Sequence, residues 1–93
     1  MHTMEYTTVP GKQTALITLY ALSTCGWCRK TKEYLASLGV AYRYVYVDLL
    51  SGDERKEAID TVKALNPSLS FPTMTVGEKV IIGYNEDEIQ GAL

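Results

Sequence analysis

"TALITLYALSTCGWCRKTKEYLASLGVAYRYVYVD", residues Thr14–Asp48, is the stretch from which the fold follows. Its first part, Thr14 to Leu22, is a nearly continuous apolar and β-branched run, the pattern of a strand buried on both faces. Its last part, Ala41 to Asp48, alternates, with Tyr42, Tyr44 and Tyr46 on one face and Val45 and Val47 on the other. That is a period of two, hence a second strand. Between them Cys28, Thr31, Leu35 and Leu38 recur at steps of three, four and three, which is one face of a helix. Gly39 follows as a natural C-terminal stop. A strand, a helix and a strand in this order make a βαβ unit, so the two strands are expected to run parallel.

Downstream, "SGDE" predicts the start of a second helix, with Ser51 and Glu54 as a capping box. Ala58, Ile59, Val62 and Leu65 give it an apolar face. "NPSLSFP" interrupts the regular structure. "TMTV" and "KVIIG", joined by Gly77-Glu78, then read as a β-hairpin. "NEDEIQGAL" closes the chain as a short helix with Asn85 as its N-cap. Upstream, Pro10-Gly11 marks a turn, so residues 1–13 are read as an extension and 14–93 as the domain. The predicted order is β-α-β-α-β-β-α, an α/β fold with a four-stranded mixed sheet flanked by helices on both faces.

Composition narrows the function. Ninety-three residues suit one core and not two. With 46% hydrophobic and 22% charged residues, the balance is that of a soluble globular domain. A net charge of -2 gives no reason to expect nucleic acid or an anionic membrane as partner. No apolar run nears the roughly 20 residues that span a bilayer, and the opening "MHTMEYTTVPGKQT" lacks the apolar core of a secretion signal. The cytoplasm is the expected compartment, where a disulfide is more often transient than structural.

The chain's two cysteines stand two residues apart, as Cys25 and Cys28. As a staple they would close too short a loop to restrict the unfolded chain much. As half of a structural zinc site they lack partners, since the sole histidine is His2. A cluster shared between two chains stays open, but no resident metal is expected. As a redox pair they are well placed. Cys25 falls at the junction of strand and helix, where unpaired N–H groups and the positive end of the helix dipole favour an anion. The thiolate is the reactive form of cysteine. Cys28 lies one turn on, on the apolar face, and is expected to be the more buried. This asymmetry makes Cys25 the attacking thiol and Cys28 the one that resolves the mixed disulfide. Gly26 permits the tight turn, and Thr24, Trp27 and Arg29 flank the pair as supporting residues. Trp27 either covers the core edge or meets a partner. In "SFPT" a proline precedes a strand, a position that a cis bond suits, although Pro67 competes for that role.

With these landmarks in register, residues 14 to 92 resemble the glutaredoxin-like branch of the thioredoxin superfamily. The resemblance rests on the element order, on "CGWC" at the strand–helix junction, on "SFPT" and on "IIGYNEDEI". It implies that Pro72 is cis and lies beside Cys25, and that the Phe71 backbone pairs with an extended substrate. Gly83, Tyr84, Glu86 and Asp87 complete the implied substrate side. Glutathione-using members usually carry a lysine where this chain has Leu22, and two glycines where it has Gly83-Tyr84. The latter pair looks closer to NrdH-type redoxins, which are recharged by thioredoxin reductase or a related enzyme and serve ribonucleotide reductase. Against true thioredoxins, Thr24 stands in place of a tryptophan and Leu19 in place of a buried acid. The expected function is thus a thiol-disulfide oxidoreductase acting on disulfide-containing proteins. It is expected to be a monomer, without a cofactor, recharged by an electron-donating reductase. Its potential is expected at roughly -200 to -270 mV. The alternatives are a glutathione-dependent glutaredoxin and a [2Fe-2S] carrier.

Overall fold

The buried strand of the opening stretch is the centre of the molecule. In a computed structural model, which describes residues 5–93, it spans Ile17–Ala21, and all five of its residues are buried. Around it the order is β1 (Thr7–Val9), β2 (Ile17–Ala21), α1 (Gly26–Leu38), β3 (Tyr42–Tyr46) and a 3₁₀ turn at Val47–Leu49. α2 (Gly52–Leu65), β4 (Thr73–Val76), β5 (Lys79–Ile82) and α3 (Glu86–Ala92) follow. The sheet runs β1-β3-β2-β4-β5. β2 and β3 are parallel, as a crossover through α1 demands, while β4 lies antiparallel to β2 and β5 to β4. Gly77 turns the β4–β5 hairpin with φ +60°, a conformation an L side chain resists.

The sheet has five strands, not four. The added one comes from the stretch expected to be an extension: Thr7–Val9 pair antiparallel with Tyr42–Tyr44. Three residues are too few to show a period, which is why the run could not be read as a strand. The chain returns from it past Gly11, where a Cβ would lie 2.6 Å from the Val40 carbonyl carbon and 2.8 Å from the Ala41 nitrogen. Only glycine permits so close a passage. It lets the Lys12 N–H donate to the Gly39 carbonyl at 2.8 Å and the Lys12 carbonyl accept from Ala41 at 2.9 Å. His2 lies outside the described residues.

Helices cover both faces. On one, α1 and α3 bring Cys28, Leu35 and Ile89 against Leu19, Tyr42, Met74 and Ile81. On the other, α2 packs Ala58 and Val62 against Tyr20 and Val45. The tyrosine face of β3 therefore belongs to the α1 side, with Tyr42 buried and Tyr44 and Tyr46 partly so. α1 ends as predicted at Gly39, with φ +69° and its N–H donating to the Ala36 carbonyl. The capping box of α2 is not made: Ser51 occupies the N-cap position but its side chain bonds no helix N–H. Gly52 enters the helix with φ +58°, turning the first residue away from the geometry that aims a capping hydroxyl inward.

Candidate functional site

The junction of β2 and α1 places the two thiols in different settings. Cys25 is the N-cap of α1, and its sulfur accepts the Cys28 N–H at 3.2 Å. It does for the helix what a serine or aspartate oxygen usually does. Cys25 is partly exposed, whereas Cys28 is 1% exposed within the core under α1. Burial first, and then the hydrogen bond with Cys25, push the Cys28 thiol up to about 12. One sulfur is presented and the other is held back as a thiol.

That raised value has a measurable consequence. The folded chain holds the Cys28 proton more tightly than the unfolded chain, whose thiol titrates near 9. The stabilisation is complete below that pH and drains away as pH climbs toward 12. Between pH 8 and 10.5, reduced wild type is expected to lose at least about 4 °C more in melting temperature than Cys28→Ser. Parallel losses in the two proteins would show that the thiol is not held in this way.

The loop before the pair is tied down from a distance. Asp48, just after β3, accepts the Ser23 N–H at 2.8 Å and the Ser23 hydroxyl at 2.5 Å. These two bonds hold its carboxyl below the usual carboxylate range. Ser23, Thr24, Cys25, Gly26 and Arg29 line a shallow hollow at this corner. The second tie lies in "NPSLSFPT". Asn66, 2% exposed, donates to Ser70 Oγ at 2.9 Å and to Thr73 Oγ1 at 3.1 Å, and accepts from the Ser68 N–H. It fixes the loop that ends in the cis Phe71–Pro72 bond. Among the described residues that bond is the cis one, so Pro72 and not Pro67 fills the role left open by sequence.

Opposite this loop Trp27, 59% exposed, stacks on Tyr84 with ring centroids 5.8 Å apart. It covers no core. Trp27, Phe71, Pro72, Gly83 and Tyr84 enclose a hollow of about 250 Å³. Gly83 takes φ +80° and donates its N–H to the Pro72 carbonyl at 2.8 Å, joining the end of β5 to the proline loop. The Tyr84 hydroxyl donates to the Glu86 carboxylate, and this bond pushes the phenol up to about 12. Asp87 stands exposed in the first turn of α3, and it lines none of these hollows.

Leu22 is uncharged and half-buried, and the Tyr84 ring fills space beside Trp27. No group of three or more His, Cys, Asp or Glu side chains able to hold a metal occurs among the described residues.

Sequence reasoning missed Asp48 and Lys32. Asp48 acts across 25 positions of chain, and no local pattern announces such a bond. Lys32 donates to the Tyr46 hydroxyl at 2.7 Å, and its ammonium lies 3.9 Å from the Tyr44 ring centroid. Lys32 stands on α1 and its tyrosine partners on β3, so no local pattern announces this contact either.

A mixed sheet with a Cys-x-x-Cys pair whose first sulfur caps α1, and a cis proline just before β4, defines a dithiol redoxin. The chain belongs to the glutaredoxin family, whose model matches residues 17–81. It is similar to the glutaredoxin from Methanosarcina mazei Go1: 46% identity, 94% of this chain and 85% of that one, TM-score 0.87. It is likewise similar to Methanosarcina acetivorans methanoredoxin, with 49% identity over 89% of this chain and 88% of that one and a TM-score of 0.85. The NrdH-redoxin from Escherichia coli shares the fold, at 24% identity over 81% of this chain and 91% of that one, with a TM-score of 0.68. The family carries thiol-disulfide oxidoreductase activity in general, and this chain is a glutaredoxin-like redox protein with two neighbouring cysteines. No helix among the described residues is long and apolar enough to cross a membrane.

Proposed function

We propose that this protein reduces protein disulfides through its own dithiol, with Cys25 as nucleophile and Cys28 as resolving thiol. The unequal setting of the two sulfurs carries the reading: one caps a helix at the surface, the other is buried and protonated. The Cys25 thiolate attacks one sulfur of the substrate disulfide, forming a mixed disulfide and releasing the first substrate thiolate, which takes a proton from water. Cys28 then loses its proton and attacks the Cys25 sulfur. The intramolecular disulfide forms and the second substrate thiol leaves. Two electrons have passed to the substrate, and a reductase must return them.

Thr24, Gly26, Trp27 and Arg29 shape the approach to Cys25. Phe71, Pro72, Gly83 and Tyr84, with Glu86 and Asp87 beside them, receive the substrate chain. The lack of a cation at Leu22 and the ring at Tyr84 favour recharging by a thioredoxin-reductase-type enzyme rather than by glutathione. Gly83-Tyr84 supports service as an NrdH-type donor, with ribonucleotide reductase as a candidate acceptor. On this reading the protein works as a cytoplasmic monomer without a bound cofactor, where its disulfide can be reduced again.

The test compares two recycling systems on one protein disulfide. The first holds NADPH and thioredoxin reductase; the second holds NADPH, glutathione reductase and glutathione. NADPH consumption in the first alone is expected. Consumption in the second alone overturns the choice of reductant. A chemically reduced protein that leaves the substrate disulfide intact overturns the function itself.

A further inference from the structure

On the flank of α1 away from Trp27's partners, a groove of about 380 Å³ runs from Cys25 along the helix. Cys25, Arg29, Lys32 and Glu33 line one side, and Tyr42 and Tyr46 the other. These α1 positions fall on one helical face, so Arg29 stands one turn and Lys32 two turns beyond the thiol. Lys32 is partly buried, yet its charge is kept. Burial alone would lower its pKa, and the Tyr46 hydroxyl with the neighbouring phenols raises it overall. An ammonium has three donors; Tyr46 takes one and the Tyr44 ring faces another, which leaves one for a ligand. Glu33 is the one acid of the lining; the Asp48 carboxylate lies outside it, held by Ser23. Within the lining, Arg29 and Lys32 thus set two cations side by side along the helix, on a chain whose net charge is -2.

We propose that this groove receives an acidic side chain of the protein substrate, two or three residues from the cysteine being reduced. The assignment rests on the disulfide-reductase reading. Seven helical residues from Cys25 to Lys32 rise about 10 Å. An extended peptide covers that distance in about three residues. A substrate disulfide at Cys25 can thus set a carboxylate between Arg29 and Lys32 while its other flank lies in the aromatic hollow. The far field of an acidic protein repels acidic partners, so a preference for them can come only from a local pair such as this.

The experiment uses disulfide peptides of one sequence that differ only two and three residues from the cysteine, carrying Asp, Asn or Lys there. An exposed ion pair is worth up to about fivefold. At low salt kcat/KM is expected to favour the Asp peptide over the Lys peptide about tenfold. The ratio should shrink in 0.5 M salt. It should fall toward one in Arg29→Gln/Lys32→Gln. Because the ratio is taken within one protein, a change in thiol reactivity or in the folded fraction cancels from it. Equal rates for the three peptides, or a ratio unchanged in the double variant, overturn the groove assignment and leave the reductase reading standing. No reduction of any peptide overturns both.

Discussion

Replacing Cys25 by serine is expected to abolish disulfide reduction, with residual turnover at least about a thousandfold below wild type. Cys28→Ser is expected instead to accumulate a covalent complex with its substrate. The difference follows from the sulfurs' settings. Cys25 alone is partly exposed at the helix start, so no other group can open the substrate disulfide. A serine hydroxyl there still caps α1 but is no nucleophile at neutral pH. Cys28, 1% exposed, cannot reach a bulky protein disulfide but lies next to Cys25. Without it the mixed disulfide has no internal attacker and waits for an outside thiol. Non-reducing electrophoresis of each variant with a protein disulfide shows which bond survives. Full activity in Cys25→Ser would falsify the assignment of roles.

The second large effect lies in stability. Leu35 on α1 has no exposed surface and packs into the core shared by β2, β3, β4 and α3. Leu35→Ala removes that burial and leaves a cavity that the surrounding sheet cannot close. A loss of about 3 kcal/mol is expected. For a domain of this size that is a drop of roughly 12–24 °C in melting temperature. It is also a large share of the ~5–15 kcal/mol that holds a typical domain together. Calorimetry of the oxidised protein checks it. Leu35 lies ten residues from Cys25, toward the far end of α1, so the folded fraction should keep its redox activity. A melting shift of under about 3 °C would mean that α1 is not anchored by this residue.

The sequence showed most of the scaffold, for reasons these residues make plain. β2 and β3 announce themselves because burial on two faces, or on one, leaves a period that a handful of residues can display. α1 is bounded by groups whose conformations are chemically restricted, a capping residue before Gly26 and left-handed Gly39 after Leu38. β1 left no such trace. Thr7–Val9 is held by its pairing with β3 and by the close passage at Gly11, both made with residues more than twenty-five positions away. Ser51 was named correctly as a helix start, and the bond expected of it failed because Gly52 turned the chain.

The site divides along the same line. Cys25 and Cys28 could be placed and ranked because their difference is set by one turn of a single helix. The Trp27–Tyr84 stack and the Asp48–Ser23 clamp arise only when separate elements meet. Residue types can suggest such contacts, but partners emerge from the packing.

Trp27 is the only tryptophan in the chain, and it stands at the rim of the reactive corner against Tyr84. Excited selectively, it makes the protein its own optical reporter. No second indole lies elsewhere in the fold to dilute the signal. Emission from this one ring therefore tracks whatever displaces Tyr84 or settles beside Cys25, with neither a label nor a coupled enzyme. Binding and electron transfer can then be timed separately in a single cuvette.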